Sequence, residues 1–371
     1  MKVRSVTYFA PLTYPFDVGT IVAAGRFLKS ARQALEEAGL ETQTLRLATP
    51  PFTEVLGDPE AGQVVDMAQA LEAACAEQGI DFVSIGPALA DRPDASLSPL
   101  YRLPDVLGQT QTVFTAAVVA SAGRGINLAA IQASAEVTRE IAQTTPQGFG
   151  TLRFASLANC PPGSPFFPVA YHDGGPPRFA LATEAADLPV SAFQQAATLD
   201  DARRNLLDAF EAAADRLMSA ANRLVGEHNL GFGGIDFTLA PFPDQATSIG
   251  AAIERLGIDR FGGPGTLFGA AFITNCLRQA SFPRCGYSGL MFPVLEDSVL
   301  AARADEQAYG IDSLLLYSTV CGAGLDTVPL PGDIGVDELA GILLDVATVA
   351  VVLDKPLSAR LMPVPGLGAD Q

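Results

Sequence analysis

Val3-Arg4-Ser5-Val6-Thr7-Tyr8-Phe9, then a helical stretch from Gly19 to Ala38, then a second strand-like run beginning at Thr42: the start of the chain reads strand, helix, strand. The first run is rich in β-branched and aromatic residues, and the helical stretch after it is long enough to cross back over a sheet. That is the βα unit of an α/β protein. The alternation continues to the end of the chain. Further strand-like runs begin near Asp81, Thr112, Thr151, Arg178, Gly233, Ser288, Ser313 and Leu357. Helical patterns cover Val64 to Gln78, Leu128 to Ala142, Leu199 to Glu227 and Val336 to Leu353. About ten strands follow from this reading, in a mostly parallel sheet. The helix from Leu199 repeats Leu206, Leu207, Phe210, Ala214, Leu217 and Ala221 at helical spacing, so it is expected to pack on the outside of the sheet.

A chain of 371 residues, 49% of them hydrophobic, has room for one large barrel or two ordinary domains. The Pro/Gly-rich segments Asn159 to Pro177, Phe261 to Gly265 and Val328 to Asp333 sit where a strand should hand over to the next element. They read as loops at a functional edge rather than as linkers, so residues 1–371 are expected to form one domain. Every apolar run is broken well short of the roughly 20 residues a spanning helix needs. The N-terminus runs straight into a strand pattern with no export signal behind it. Five widely spaced cysteines, an odd number with no CxxC pair, suggest free thiols in a reducing cytoplasm. A formal charge of −18 with lysine only at Lys2, Lys29 and Lys355 argues against nucleic acid or an anionic membrane as partner.

Four segments cluster small, kinked and polar residues after a strand. Ala158-Asn159-Cys160-Pro161-Pro162-Gly163 is followed by Tyr171-His172-Asp173-Gly174-Gly175. His172 beside Asp173 suits a metal ligand or a general base, and equally an Asx-type turn with a surface histidine. The other histidine, His228, lies at the end of the long helix, where capping explains it. Asp236, in Gly233-Gly234-Ile235-Asp236-Phe237-Thr238-Leu239-Ala240-Pro241, sits inside an apolar strand, so it faces a polar interior or is paired. Cys285 follows Arg284 and precedes Gly286, with Glu296-Asp297 downstream; it reads as an activated thiolate or as an inert thiol in a turn. Cys321-Gly322-Ala323-Gly324-Leu325-Asp326 follows the apolar run Leu314-Leu315-Leu316-Tyr317. Read as a strand, that run places a thiol and a carboxylate at a carboxyl-terminal sheet edge. Walker A, HExxH, GxSxG and zinc-type clusters do not occur.

Taken in order, these segments resemble domain of unknown function 711, also described as uncharacterised protein family 0210. The resemblance spans nearly the whole chain, from Arg4-Ser5-Val6-Thr7 to Ala359-Arg360-Leu361. It is most specific at Asp236-Phe237-Thr238-Leu239-Ala240-Pro241, Gly289-Leu290-Met291-Phe292-Pro293-Val294-Leu295-Glu296-Asp297 and Val320-Cys321-Gly322-Ala323-Gly324-Leu325-Asp326. The resemblance implies a ten-stranded α/β barrel like that of pyruvate formate-lyase and ribonucleotide reductase, and supplies no reaction. The radical enzymes of that fold keep a thiyl-forming cysteine on a loop inside the barrel. The lyases add a radical glycine in an Arg-Val-x-Gly-Tyr context. The tail from Pro363 to Gln371 lacks that context, so glycyl-radical chemistry is not expected. Longer relatives carry Gly-rich sequence beyond this tail, so site elements from such an extension are not expected here.

Two functions are weighed. One is an enzyme acting on a small metabolite in the barrel interior with Cys321, Cys285, Asp236, Asp326 and His172 as its polar groups. The other is a non-catalytic ligand-binding or regulatory protein using the same pocket. A metal, if present, would be a divalent cation on oxygen ligands, with His172 the nitrogen and Asp173 beside it. So hydrophobic a chain is expected to bury surface in a homo-oligomer. Cys321 and Cys285 are expected to matter more than Cys75 or Cys276, which fall on apolar helix faces.

Overall fold

In the computed structural model, which describes residues 1–57 and 61–368, ten strands make one mixed sheet. They are β1 (Lys2–Phe9), β2 (Thr42–Ala48), β3 (Phe82–Leu89), β4 (Val113–Ser121), β5 (Gly125–Ile126), β6 (Phe154–Ala158), β7 (Arg178–Glu184), β8 (Gly231–Asp236), β9 (Gly324–Pro331) and β10 (Leu357–Val364). The α-helices are α1 (Val18–Glu37), α2 (Phe52–Leu56), α3 (Ala61–Glu77), α4 (Leu103–Gln109), α5 (Leu128–Thr144), α6 (Asp187–Gln194), α7 (Leu199–His228), α8 (Ile249–Glu254), α9 (Thr266–Gln279), α10 (Ser298–Asp305), α11 (Ile311–Ser318) and α12 (Val336–Val352). The five long helices lie within three residues of their expected bounds. No helix among the described residues is long and apolar enough to cross a membrane.

The sheet runs β8-β7-β1-β2-β3-β4-β6-β10-β9, with β5 folded back on β4. From β1 through β6 the neighbours are parallel, as crossover helices require. β7 joins β1 antiparallel and carries β8 parallel to itself; β10 joins β6 antiparallel and carries β9. The five central strands therefore run one way and the two outer pairs the other, with β8 and β9 as the edges. Between those edges runs the stretch from Arg284 to Pro293. It is tied by isolated bridges, Ile235 to Arg284 and Leu239 to Leu290 on one side and Pro293 to Asp326 on the other, and among the described residues no continuous ladder closes the sheet.

Two expected strands are corrected here. The stretch from Ser288 makes isolated bridges because the chain turns at Gly286 (φ 58°) and Ser288 (φ 39°). A Cβ on Gly286 would lie 2.2 Å from Asp236 Oδ2, so only glycine fits against that carboxylate. The run Leu314-Leu315-Leu316-Tyr317 is helical, within α11. Leu314 and Tyr317 are buried and Leu316 is exposed, an i, i+3 spacing that faces one helix side to the core. The strand comes later, as β9, where Val328 to Asp333 reads as a loop. Its Pro329 and Pro331 are tolerated because β9 is an edge.

Side chains alternate across the sheet. Val6, Tyr8, Leu45, Leu47, Ala117 and Val119 belong to the main core under the helices. Their neighbours Phe9, Ala48, Ala116, Val118, Leu157 and Ala180 form two smaller clusters on the other face. The segment expected as an edge loop, Asn159 to Pro177, covers this inner face with Phe166, Phe167, Val169 and Ala170. Thr7 Oγ1 donates to Pro165 O (3.4 Å), Ser84 Oγ to Ala170 O (2.6 Å) and His172 N to Thr49 O (2.9 Å), so its main chain is tied down across the strands. Among the tail residues considered above, 369–371 lie outside the described residues.

Candidate functional site

Side chains that follow parallel strands converge at their carboxyl ends, and such edges are where α/β proteins place ligands. Here a cleft of about 340 Å³ opens beyond β3, β4 and β6. Asp91 and Arg92 follow β3, Ser121 ends β4, Asn159 and Cys160 follow β6, and Tyr171 to Asp173 return along the inner face. Asp91 is buried and accepts hydrogen bonds from Ser121 Oγ (2.8 Å) and Arg124 (2.9 Å). Asn159 holds the left-handed conformation (φ 58°), which its short polar side chain tolerates. Its Oδ1 accepts from Ala122 N (3.1 Å) and its Nδ2 donates to Asp354 (3.0 Å).

His172 is buried rather than on the surface. Its Nδ1 accepts the Gly174 N–H (2.8 Å), which leaves Nε2 to carry the proton toward Pro176 O (3.3 Å). Burial pushes its pKa down, so the neutral ring is the form this loop holds. Asp173 Oδ1 accepts from Gly175 N in an Asx turn, and Oδ2 pairs with Arg178 (2.9 Å). Burial alone would raise Asp173; the Gly175 amide and Arg178 outweigh it and hold the carboxyl below its usual range. Among the described residues no three His, Cys, Asp or Glu side chains gather as a metal-ligand group, at His172 and Asp173 or elsewhere.

Cys160 forms part of the cleft wall. Its Sγ lies 3.3 Å from Leu357 O, 3.5 Å from Ala158 O and 3.6 Å from the hydroxyl of Tyr287, and burial pushes the thiol up to about 12. The Tyr287 hydroxyl is likewise driven well up by burial and the neighbouring Cys160. Both groups hold their protons at neutral pH. Asp236, fully buried at the end of β8, accepts from Thr238 Oγ1 (2.5 Å) and Ser288 N (2.7 Å) through Oδ1, while Oδ2 has no hydrogen-bond partner among the described residues. Burial pushes it up to about 6. Cys285 is half-buried nearby; burial and then Asp236 drive its thiol well up, and Arg284 turns instead to the carbonyls that end α9, Leu277 O at 2.8 Å. Asp236 and Cys285 are therefore brought together.

Cys321 and Asp326 lie in different surroundings. Cys321 packs in the main core at the turn after α11, its carbonyl accepting from Lys355 Nζ (2.5 Å). Asp326 is buried in β9 and takes two hydrogen bonds from Arg360, 2.6 and 2.9 Å. Glu296 then accepts from Arg4 (2.8 Å) and Arg360 (3.5 Å); burial alone would raise it, and these two arginines hold it below its ordinary value. Sequence reasoning passed over Arg4, Arg46 and Arg360 as strand residues. The available signal was an arginine inside an otherwise apolar strand, the same signal that singled out Asp236.

A family model described as "Uncharacterised ACR (DUF711)" matches residues 1–370. Similar curated proteins, each named UPF0210 protein, come from Pyrobaculum arsenaticum (34% identical over 360 residues, 92% of this chain and 78% of that protein), Desulforudis audaxviator (30% over 363 residues, 94% and 80%) and Methanopyrus kandleri (29% over 361 residues, 93% and 80%). None of these names states a reaction.

Proposed function

Because the chain belongs to the DUF711 family, whose members are uncharacterised, its activity must be read from its own geometry, and we propose an enzyme acting on a small polar metabolite held in the carboxyl-edge cleft. The observation that carries this reading is the convergence of Asp91, Arg124, Asn159, Cys160 and Tyr171 on one cleft from separate strand ends. Glu54, Asp91 and Asp173 face Arg92, Arg124 and Arg178, so the charges balance and favour a neutral or zwitterionic solute. Cys160 holds its proton at the cleft wall, with the Tyr287 hydroxyl 3.6 Å from its Sγ, which argues against thiolate attack. Behind them Asp236, with Cys285, is the group placed to exchange a proton near neutrality, and Asp326 positions Arg360. In the same reading the sheet is an open form of the ten-stranded barrel of pyruvate formate-lyase and ribonucleotide reductase. Its support is the Arg284 to Pro293 stretch bridging β8 and β9. The protein is taken to work as a cytoplasmic homo-oligomer.

One observation favours a non-catalytic binding protein: among the described residues each cleft carboxylate already has a cationic partner. The test is a thermal-shift screen against metabolite pools, followed by a turnover assay on any compound that stabilises the protein. Asp91→Asn is expected to abolish the stabilisation. A tight ligand recovered unchanged would establish the binding reading, and a ligand indifferent to Asp91→Asn would remove the cleft from both.

A further inference from the structure

Asp173 and His172 lie near the end of β1, where the His172 ring is 6.4 Å from that of Phe9. Near the start of β1, a second cavity of about 410 Å³ opens among Arg4, Gln43, Arg46, Glu184 and Glu296, rimmed by Phe242. Arg4 and Glu296 are matched to each other. Glu296 takes Arg4 and Arg360, and Glu184 accepts from Gln43 Nε2 at 2.7 Å.

Arg46 is different. It is 9% exposed, and its Nε donates to Thr44 Oγ1 at 2.9 Å. Its guanidinium carbon lies 5.0 and 5.7 Å from the ring centres of Phe167 and Phe82, which fix the plane of the fork. Among the described residues neither terminal nitrogen has a hydrogen-bond partner, and no carboxylate lies within ion-pair distance. Burial, and after it the neighbouring Arg4 and Arg360, push this guanidinium down to about 9, against the weaker opposing pull of Glu296 and Asp81.

We propose that this cavity binds a small amino-carboxylate, its carboxylate on the two terminal nitrogens of Arg46 and its ammonium toward Glu184. The planar fork matches the two oxygens of a carboxylate. Glu184 and Glu296 border the same space and attract an ammonium, which phosphate does not offer, so a molecule carrying both charges is preferred over a plain anion. The volume admits a molecule of amino-acid size, and Phe242 covers its carbon skeleton. This site is independent of the carboxyl-edge cleft.

The chain contains no tryptophan, so Phe242→Trp, at a side chain 54% exposed, places one fluorophore on the rim. That variant is titrated with amino acids of increasing length, with the matching carboxylates lacking the amine, with the amines lacking the carboxylate, and with inorganic phosphate. Calorimetry on the unaltered protein repeats each titration. Saturable binding of amino acids is expected, roughly tenfold or more weaker for either truncated series. Arg46→Gln is expected to lose binding, Arg46→Lys to retain part of it, and Asp91→Asn to leave it intact, each checked for folding by thermal denaturation. Absence of saturable binding by every amino acid in both readouts would overturn the proposal. So would phosphate binding as well as the amino acids, or unchanged affinity in folded Arg46→Gln.

Discussion

Asp236 shows how a single buried carboxylate makes stability depend on pH. Its proton is held in the native state up to about pH 6, whereas an unfolded aspartate loses it near 4. The native state therefore binds more protons across that window. Its contribution to stability is complete below the unfolded value and is lost as pH rises through the folded one. Two units correspond to about 3 kcal/mol. Asp236→Asn is expected to remove this fall and to be at least as stable as the parent at pH 8, as read by urea denaturation at successive pH values. Parallel pH profiles for the two proteins would refute it. His172 works in the opposite direction, since burial lowers its pKa: its contribution is complete above the ordinary histidine value and is lost as pH falls below it. The thiols are distinguished by access. Cys285 is half-buried and the other four are buried, so native-state alkylation followed by mass spectrometry should modify Cys285 first. Equal inertness of all five would sink any reactive role for it.

At the scale of elements, Asp297 joins two helices. Its carboxylate caps α10 through Val299 N (3.0 Å) and Leu300 N (3.1 Å), and it also accepts Ser248 Oγ (2.6 Å) and Ile249 N (2.6 Å) at the start of α8. Losing a cap costs about 1 kcal/mol, and leaving buried donors unpaired costs more. Asp297→Ala is therefore expected to destabilise by about 2–4 kcal/mol in chemical denaturation, with Asp297→Asn recovering part of it; a loss under about 0.5 kcal/mol would show that water replaces the carboxylate. The long helix α7 was legible from its periodicity over 30 residues, and the structure adds its ends: Thr198 and Asp201 form a reciprocal capping box, and Asn229 ends the helix in the left-handed conformation. His228, expected as a cap, instead bonds Ser30 through Nε2 (2.9 Å) and stacks edge-on to Phe27. Four apolar residues such as Leu314 to Tyr317 fit a buried strand or one helical turn equally well, and only the surroundings chose the helix.

For the whole molecule, the decisive feature is a sheet buried on both faces, one by helices and the other by the segment from Asn159 to Pro177. Phe167 from that segment packs against Phe114 at 5.3 Å and over Arg46, so Phe167→Ala should cost about 3–5 kcal/mol, the magnitude of a core truncation. A cost below about 1 kcal/mol would mean that the segment merely lies on the sheet. Exposed Phe149, Phe268, Leu316 and Val352 give the proposed homo-oligomer apolar surface to bury, and sedimentation velocity showing a monomer at every concentration would reject it. From its own pattern the chain determined the βα alternation, the five long helices, most strand starts and the conspicuous Asp236, because these depend on propensity and periodicity over neighbouring residues. Only the tertiary structure decided that Asp236 meets Cys285, that Cys160 meets Tyr287, and that Arg4, Arg46, Arg360, Glu296 and Asp326 share one face. Those meetings depend on the order and direction of strands far apart in the chain, and the side-chain pattern of a single strand says which face it buries but not which strand lies beside it.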